Sequence, residues 1–123
     1  MITRYINTVT EWDVFTNTDN GIIIKFTADW CNVCRDAILP NHPSWTAGGW
    51  NSFNVDIDNE EIMEYIDEQE GLKVNKIPLF ITKRNGVIKK MYQGKGEGEI
   101  KALLDDLVSN DSRPSEMSMD EKF

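Results

Sequence analysis

Cys31 and Cys34 are the only cysteines in the chain, and Asn32 and Val33 lie between them. Two thiols one helical turn apart can pass between dithiol and disulfide, carrying two electrons with no organic cofactor. The order of the pair suggests the roles. The first cysteine attacks a foreign disulfide as a thiolate, and the second lies near enough to attack the mixed disulfide and release the product. The placement suits this chemistry. The motif follows an apolar run, Ile22 to Ala28, and opens a predicted helix from Trp30-Cys31 to about Leu39, where Pro40 and Pro43 stop it. A helix start offers unpaired N–H groups and a partial positive charge, and both stabilise a thiolate. The carboxyl end of a strand is also where α/β sheets carry their sites. The competing reading of a CxxC is two small buried residues. The strand before the motif and the helix after it favour chemistry.

The flanking sequence shows what must hold the pair in place. Residues 22–28, IIIKFTA, are β-branched and almost wholly apolar, which predicts a central strand covered on both faces and hence a parallel α/β sheet. Upstream, residues 2–6 read as a strand. Thr10 with Asp13 suggests a capping box, and Val9 with Val14 a hydrophobic staple, for a helix over 11–17 that puts Trp12 and Phe15 on one face. Asp19-Asn20-Gly21 ends it. Residues 40–51, with His42, Trp45 and Trp50, read as a loop, and 52–57 as a second central strand. Asp58, with Glu61 three residues on, is the expected cap of a helix whose inner stripe is Ile62, Met63 and Ile66. Residues 78–84 and 87–93 flank Asn85-Gly86, a strong hairpin signal, and Lys89 and Lys90 suit an edge strand. Ile100, Leu103, Leu104, Leu107 and Val108 follow the spacing of an amphipathic helix. The order βαβαβαββα predicts a mixed sheet with helices on both faces. A domain over 1–109 and a disordered acidic tail over 110–123 are the expected organisation.

Composition removes other classes of function. The chain has 123 residues, enough for one domain, and 13 Lys+Arg against 21 Asp+Glu, a net charge of −8. Such acidity gives no footprint for nucleic acid and does not favour an anionic membrane surface. No apolar run approaches the roughly 20 residues of a membrane span. The opening residues, MITRYINTVTEW, lack the apolar core and cleavage site of a signal peptide, so a cytoplasmic location is expected. Thiols there are kept reduced, and a close cysteine pair then indicates redox or metal chemistry rather than a staple. Two cysteines and one histidine cannot close a four-ligand zinc site without a carboxylate, and no metal is expected.

The segment Phe26-Thr27-Ala28-Asp29-Trp30-Cys31-Asn32-Val33-Cys34, together with Lys76-Ile77-Pro78, resembles the thioredoxin family. The resemblance spans roughly residues 1–109. It implies the thioredoxin fold, a mixed central sheet of about five strands flanked by about four helices. It implies that Cys31 and Cys34 are the dithiol centre, and that Ile77-Pro78 is a cis peptide beside them that shapes the substrate groove. Trp30 and Gly94 match the residues that line that groove. The implied activity is thiol–disulfide exchange on protein disulfides, ribonucleotide reductase among them, by a monomer regenerated by a thioredoxin-reductase-like enzyme or by glutathione.

This chain departs from the family's pattern in three ways. The usual Gly-Pro between the cysteines is Asn32-Val33, and the absence of His favours a reductant over an oxidant. The family's buried Asp falls on Lys25 and its Lys partner near Asn54, so that Lys25 and Asp56 form an expected charge-reversed pair; the opposing reading sends Lys25 to solvent. Pro40 and Pro43 interrupt what is one long helix in the family. Two further readings keep the same cysteines. The Ala28-Asp29-Trp30-Cys31 stretch also resembles the C-terminal domain of periplasmic transmembrane disulfide reductases. A proline-free CxxC also occurs in carriers of iron–sulfur clusters shared between two subunits, with Cys31 as the ligand. A redox-inert adaptor is disfavoured by two intact cysteines.

Overall fold

The computed structural model describes residues 4–18, 20–37 and 52–109. The expected loop at 40–51 and the expected tail from 110 lie outside them. Among the described residues nine elements run in the order β1 (Arg4–Tyr5), α1 (Val9–Thr16), β2 (Ile22–Thr27), α2 (Asn32–Asp36), β3 (Ser52–Asp56), α3 (Glu60–Glu70), β4 (Leu79–Arg84), β5 (Val87–Gln93) and α4 (Glu97–Ser109). The strands form one sheet in the order β1-β3-β2-β4-β5. β1, β3 and β2 are parallel; β4 pairs antiparallel with β2, and β5 with β4. This is the thioredoxin fold expected from the resemblance, a mixed five-stranded sheet with four helices among the described residues.

Alternation along β2 divides the core. Ile22, Ile24 and Phe26 join Trp12, Ile62 and Ile66 under α1 and α3. Ile23 joins Phe80 and the α4 stripe Ile100, Leu103, Leu104 and Leu107 on the other face. Both faces are covered, which is why the strand reads as a continuous apolar run. Lys25 is the exception, a half-buried charge on the same side of the strand as Ile23. At the far end, Asn85 and Gly86 both take positive φ, 55° and 76°, as a tight two-residue hairpin turn requires.

Three local expectations are corrected. Helix α1 starts at Val9, not at 11. Its capping box uses Thr8 and Glu11: Glu11 N donates to Thr8 Oγ1 at 3.0 Å and Thr8 N to Glu11 Oε1 at 3.2 Å. Glutamate is one methylene longer than Asp13 and reaches back to the cap. Val14 is therefore exposed, and the Val9–Val14 staple does not form. Helix α3 is capped by Asn59, whose side chain accepts from Ile62 N, and not by Asp58. Helix α2 is shorter than predicted. It stops at Asp36, where Ala37 N turns back to the Cys34 carbonyl three residues earlier, the tight bond of a closing turn.

Candidate active site

The motif sits where β2 runs out. Cys31 N donates to the Ala28 carbonyl at 3.1 Å, which turns the chain sharply and makes Cys31 the N-cap of α2. Its sulfur takes the place of a capping oxygen, and Cys34 N donates to Cys31 Sγ at 3.2 Å. A backbone N–H aimed at this sulfur stabilises negative charge on it. Both cysteines are free. Cys31 retains 8% exposure and Cys34 1%. Burial, and then the hydrogen bond with Cys31, push the Cys34 thiol above its ordinary value, while contacts with Thr27 and the Ala28 backbone oppose the rise.

The substrate-groove residues named from the sequence converge here. Ile77 packs with Ala28, Cys31 and Cys34, as does Ile57. The Ile77–Pro78 bond is cis. Pro78 is buried, and its carbonyl accepts from Gly94 N at 3.0 Å, which joins the start of β4 to the end of β5. Gly94 has φ of 140°, and a Cβ there would meet Tyr92 Oη at 2.7 Å, so a side chain at this position is strained and crowded. Trp30 is 63% exposed and Val33 45%, leaving an apolar rim beside the sulfurs. Asn32 is exposed next to it.

Lys25 and Asp56 do not pair. Lys25 Nζ donates to the Cys34 carbonyl at 2.6 Å, and Asp56 Oδ1 accepts from Asp58 N at 2.9 Å. In the register Lys25 faces Asn54, and Asp56 lies two residues on, opposite Thr27. Nor does Lys25 snorkel outward: it is half-buried under α2. Burial lowers its pKa below the ordinary lysine value, and the charges of Cys34 and Cys31 act against that fall. A cavity of about 190 Å³, lined by Tyr5, Lys25, Thr27, Asn54 and Cys34 among others, lies behind the motif.

Two contributors had not been singled out from the sequence. Asp58 Oδ2 accepts from Trp30 Nε1 at 3.0 Å and fixes the exposed ring. Thr27 reaches the Cys34 thiol from the strand end. A polar residue at the end of the strand that leads into the motif is the available signal for Thr27. The Asp58 contact spans 28 positions and had no local signal. Among the described residues no group of three His, Cys, Asp or Glu side chains is placed to hold a metal ion. No described helix is long and apolar enough to cross a membrane.

Comparison with known proteins agrees with the geometry. The chain is similar in structure to thioredoxin from Trypanosoma brucei brucei, with a TM-score of 0.68 and 22% identity over 89% of this chain and 93% of that one. Thioredoxin from Plasmodium falciparum gives 0.67 and 19% over 85% and 98%. Thioredoxin from Fasciola hepatica gives 0.67 and 18% over 85% and 99%. At such identities the likeness shows the fold. No curated protein sequence matches the chain. The family model for thioredoxin matches residues 4–106, a span that contains the dithiol and the cis proline, and the chain belongs to the thioredoxin family of thiol–disulfide oxidoreductases.

Proposed function

We propose that this protein is a cytoplasmic protein-disulfide reductase in which Cys31 attacks and Cys34 resolves. The observation that carries the reading is the asymmetry of the two sulfurs. Cys31 is the less buried and holds the Cys34 N–H on its sulfur; Cys34 is sealed and its thiol is held in the protonated form by burial. The Cys31 thiolate attacks one sulfur of a target disulfide, forming a mixed disulfide and expelling a thiolate. Cys34 then loses its proton and attacks Cys31 Sγ. The Cys31–Cys34 disulfide forms, and the second target thiolate leaves and is protonated. Two electrons pass from the pair to the target.

Trp30 and Val33 supply an exposed apolar rim on which a partner segment can lie, with Ile77, Pro78 and Gly94 beside it. Asn32 and Val33 place no histidine beside the attacking sulfur, which supports the reducing direction. Members of the family act on protein disulfides and are reduced in turn by thioredoxin reductase; we assign the same electron source here, and protein disulfides, ribonucleotide reductase included, as acceptors.

Insulin reduction driven by dithiothreitol or a thioredoxin reductase tests the reading. The wild-type chain should catalyse it. Cys31→Ser should lose turnover completely, and Cys34→Ser should attack once and accumulate a mixed disulfide. Full turnover by Cys34→Ser, with trapping by Cys31→Ser, would reverse the roles.

A further inference from the structure

Lys25 is the one charged residue of β2. It is half-buried, and Phe80, its cross-strand partner, is fully buried. A cation in such a place needs compensation. No carboxylate among the described residues lies within ion-pair distance of it. Its ammonium donates a hydrogen bond to the carbonyl of Cys34. The groups that face it can be named element by element. From β1 there is Tyr5; from β2, Thr27; from β3, Asn54; from the turn, Asp29; from α2, Cys34 and Arg35, with Cys31 acting through its charge. Arg35 is turned away, with Nη2 on the Asp29 carbonyl at 3.3 Å. Asp56 is held by Asp58 N. Asp29 lines the same cavity without pairing with Lys25, and the charges that act on Lys25 are those of Cys34 and Cys31.

Resting on the proposed dithiol chemistry, we infer that Lys25 is a positioning residue whose ammonium pins the Cys34 carbonyl and stabilises thiolate on the pair, biasing the couple toward its reduced form. The mechanical part follows from α2, which is five residues long. Its last turn hangs on the Cys34 carbonyl, which accepts both Ala37 N at 3.2 Å and Lys25 Nζ at 2.6 Å. The ammonium thus holds the second cysteine from behind while the first is held by a backbone N–H in front. The electrostatic part follows from opposite charge in a site of low dielectric. When Cys34 gives up its proton to attack Cys31, the new thiolate forms beside a cation that keeps its own proton. Stabilising the thiolate stabilises the reduced state and makes the couple more oxidising than it would be without the lysine. The lowered pKa of Lys25, with the thiols as the charges that oppose the fall, accords with this coupling.

The bias must depend on pH, because only a thiolate feels it. The wild-type chain, K25M and K25R are equilibrated with glutathione redox buffers at pH 6 and at pH 9. At pH 9 the disulfide of K25M should be favoured about tenfold more than that of the wild type, which for a two-electron couple is about 30 mV lower. At pH 6 the gap should close to within about twofold. K25R keeps the charge and should stay with the wild type at both values. A gap of the same size at both pH values, in K25M and K25R alike, would mean that Lys25 only packs and would overturn the inference. Linkage gives a second test on the unmodified chain, should K25M fail to fold. The effect of the lysine on the thiols equals the effect of the thiols on the lysine. In nitrogen NMR of the lysine side chains, the Lys25 pKa should be higher in the reduced protein than in the disulfide form. Equal values refute the coupling. A wild-type chain that never equilibrates with glutathione refutes the dithiol function itself, a different failure from equal potentials in a chain that cycles.

Discussion

Two lysines on adjacent strands of one sheet have opposite surroundings. Lys83, in β4, points into the α1–α3 side at the end of the sheet away from the cysteines. Its side chain is 0% exposed, it pairs with Glu70 of α3, and its ammonium lies 4.8 Å from the centre of the Trp12 ring. Lys25, in β2, points into the other face at the motif end, with a backbone carbonyl and two thiols for company. The difference separates two uses of a buried cation. Lys83 is matched by a permanent carboxylate and a π face, so its charge is balanced whatever the redox state. Lys25 faces groups that are neutral as thiols or as a disulfide and negative only as thiolates. Its balance changes during the reaction, and that makes it useful to the reaction. A fully matched charge holds a fold together, whereas a conditionally matched one reports on its site.

The largest effect should come from breaking the matched end. Glu70→Ala leaves the Lys83 ammonium buried without its carboxylate and should cost about 3 kcal/mol, at the low end for buried pairs because Glu70 is 16% exposed. Urea denaturation measures this, and insulin reduction at 25 °C should be unchanged while the protein stays folded. A loss of activity larger than the loss of folded protein would mean that the two ends communicate. Removing both charges in K83M with E70L should recover most of the loss, to within about 1 kcal/mol of wild type, since apolar pairs often replace buried ion pairs without cost. If the double variant were as weak as E70A, packing around Trp12 rather than charge would hold that end.

A smaller effect is expected at the α1 cap, which serves the matched end by seating Trp12. Thr8→Ala removes the hydroxyl that accepts from Glu11 N and should cost about 1 kcal/mol. Thr10→Ala, at the cap position expected from the sequence, should change stability by less than about 0.5 kcal/mol. Equal losses from the two would overturn the observed capping box.

These residues also show what could be read from the sequence. The central strand, the Asn85-Gly86 hairpin and the α4 stripe were legible because their signals are local and periodic. The motif was legible because two cysteines at that spacing after an apolar strand have few other uses. The α1 cap was misplaced by one short step: Thr8-Val9-Thr10-Glu11 contains the capping pattern with glutamate, but a second threonine two residues on offered a competing one. Lys83 was read only as part of a strand, because its partners Trp12 and Glu70 are brought to it by the fold. Asp58 was misread as a cap because its real partner is the indole of Trp30, far away in the chain. Lys25 stands out in the sequence as the one charge of its strand, but Asp56, the partner expected there, is not its partner in the fold. Its acceptor is a backbone carbonyl, and a carbonyl leaves no mark in a sequence.

The smallest effect lies in the pH dependence of stability at the Lys25 end, and its sign can be worked out. Burial puts the folded-state pKa of Lys25 below the ordinary lysine value of 10.5. Between those two values the folded chain binds fewer protons than the unfolded one, so stability rises with pH there: the cost of burying the ammonium is borne in full below the folded pKa and relieved as pH approaches 10.5. Cys34 acts in the opposite sense. Its folded pKa lies above 9.0, so the stability it contributes is fully present below pH 9 and is lost as pH rises through the folded value. Tyr65, raised by its hydrogen bond to Asp13, also loses stability above pH 10, but equally in both redox states. In the disulfide form Cys34 does not titrate. Between pH 9 and 10.5 the stability of the oxidised chain should therefore gain steadily on that of the reduced chain, as urea midpoints would record. K83M should leave this difference untouched, because its charge is matched elsewhere. K25M should alter it, because without the ammonium the thiolate that forms is less stable and Cys34 titrates later. A difference that K25M and K83M change alike would erase the distinction between the two lysines.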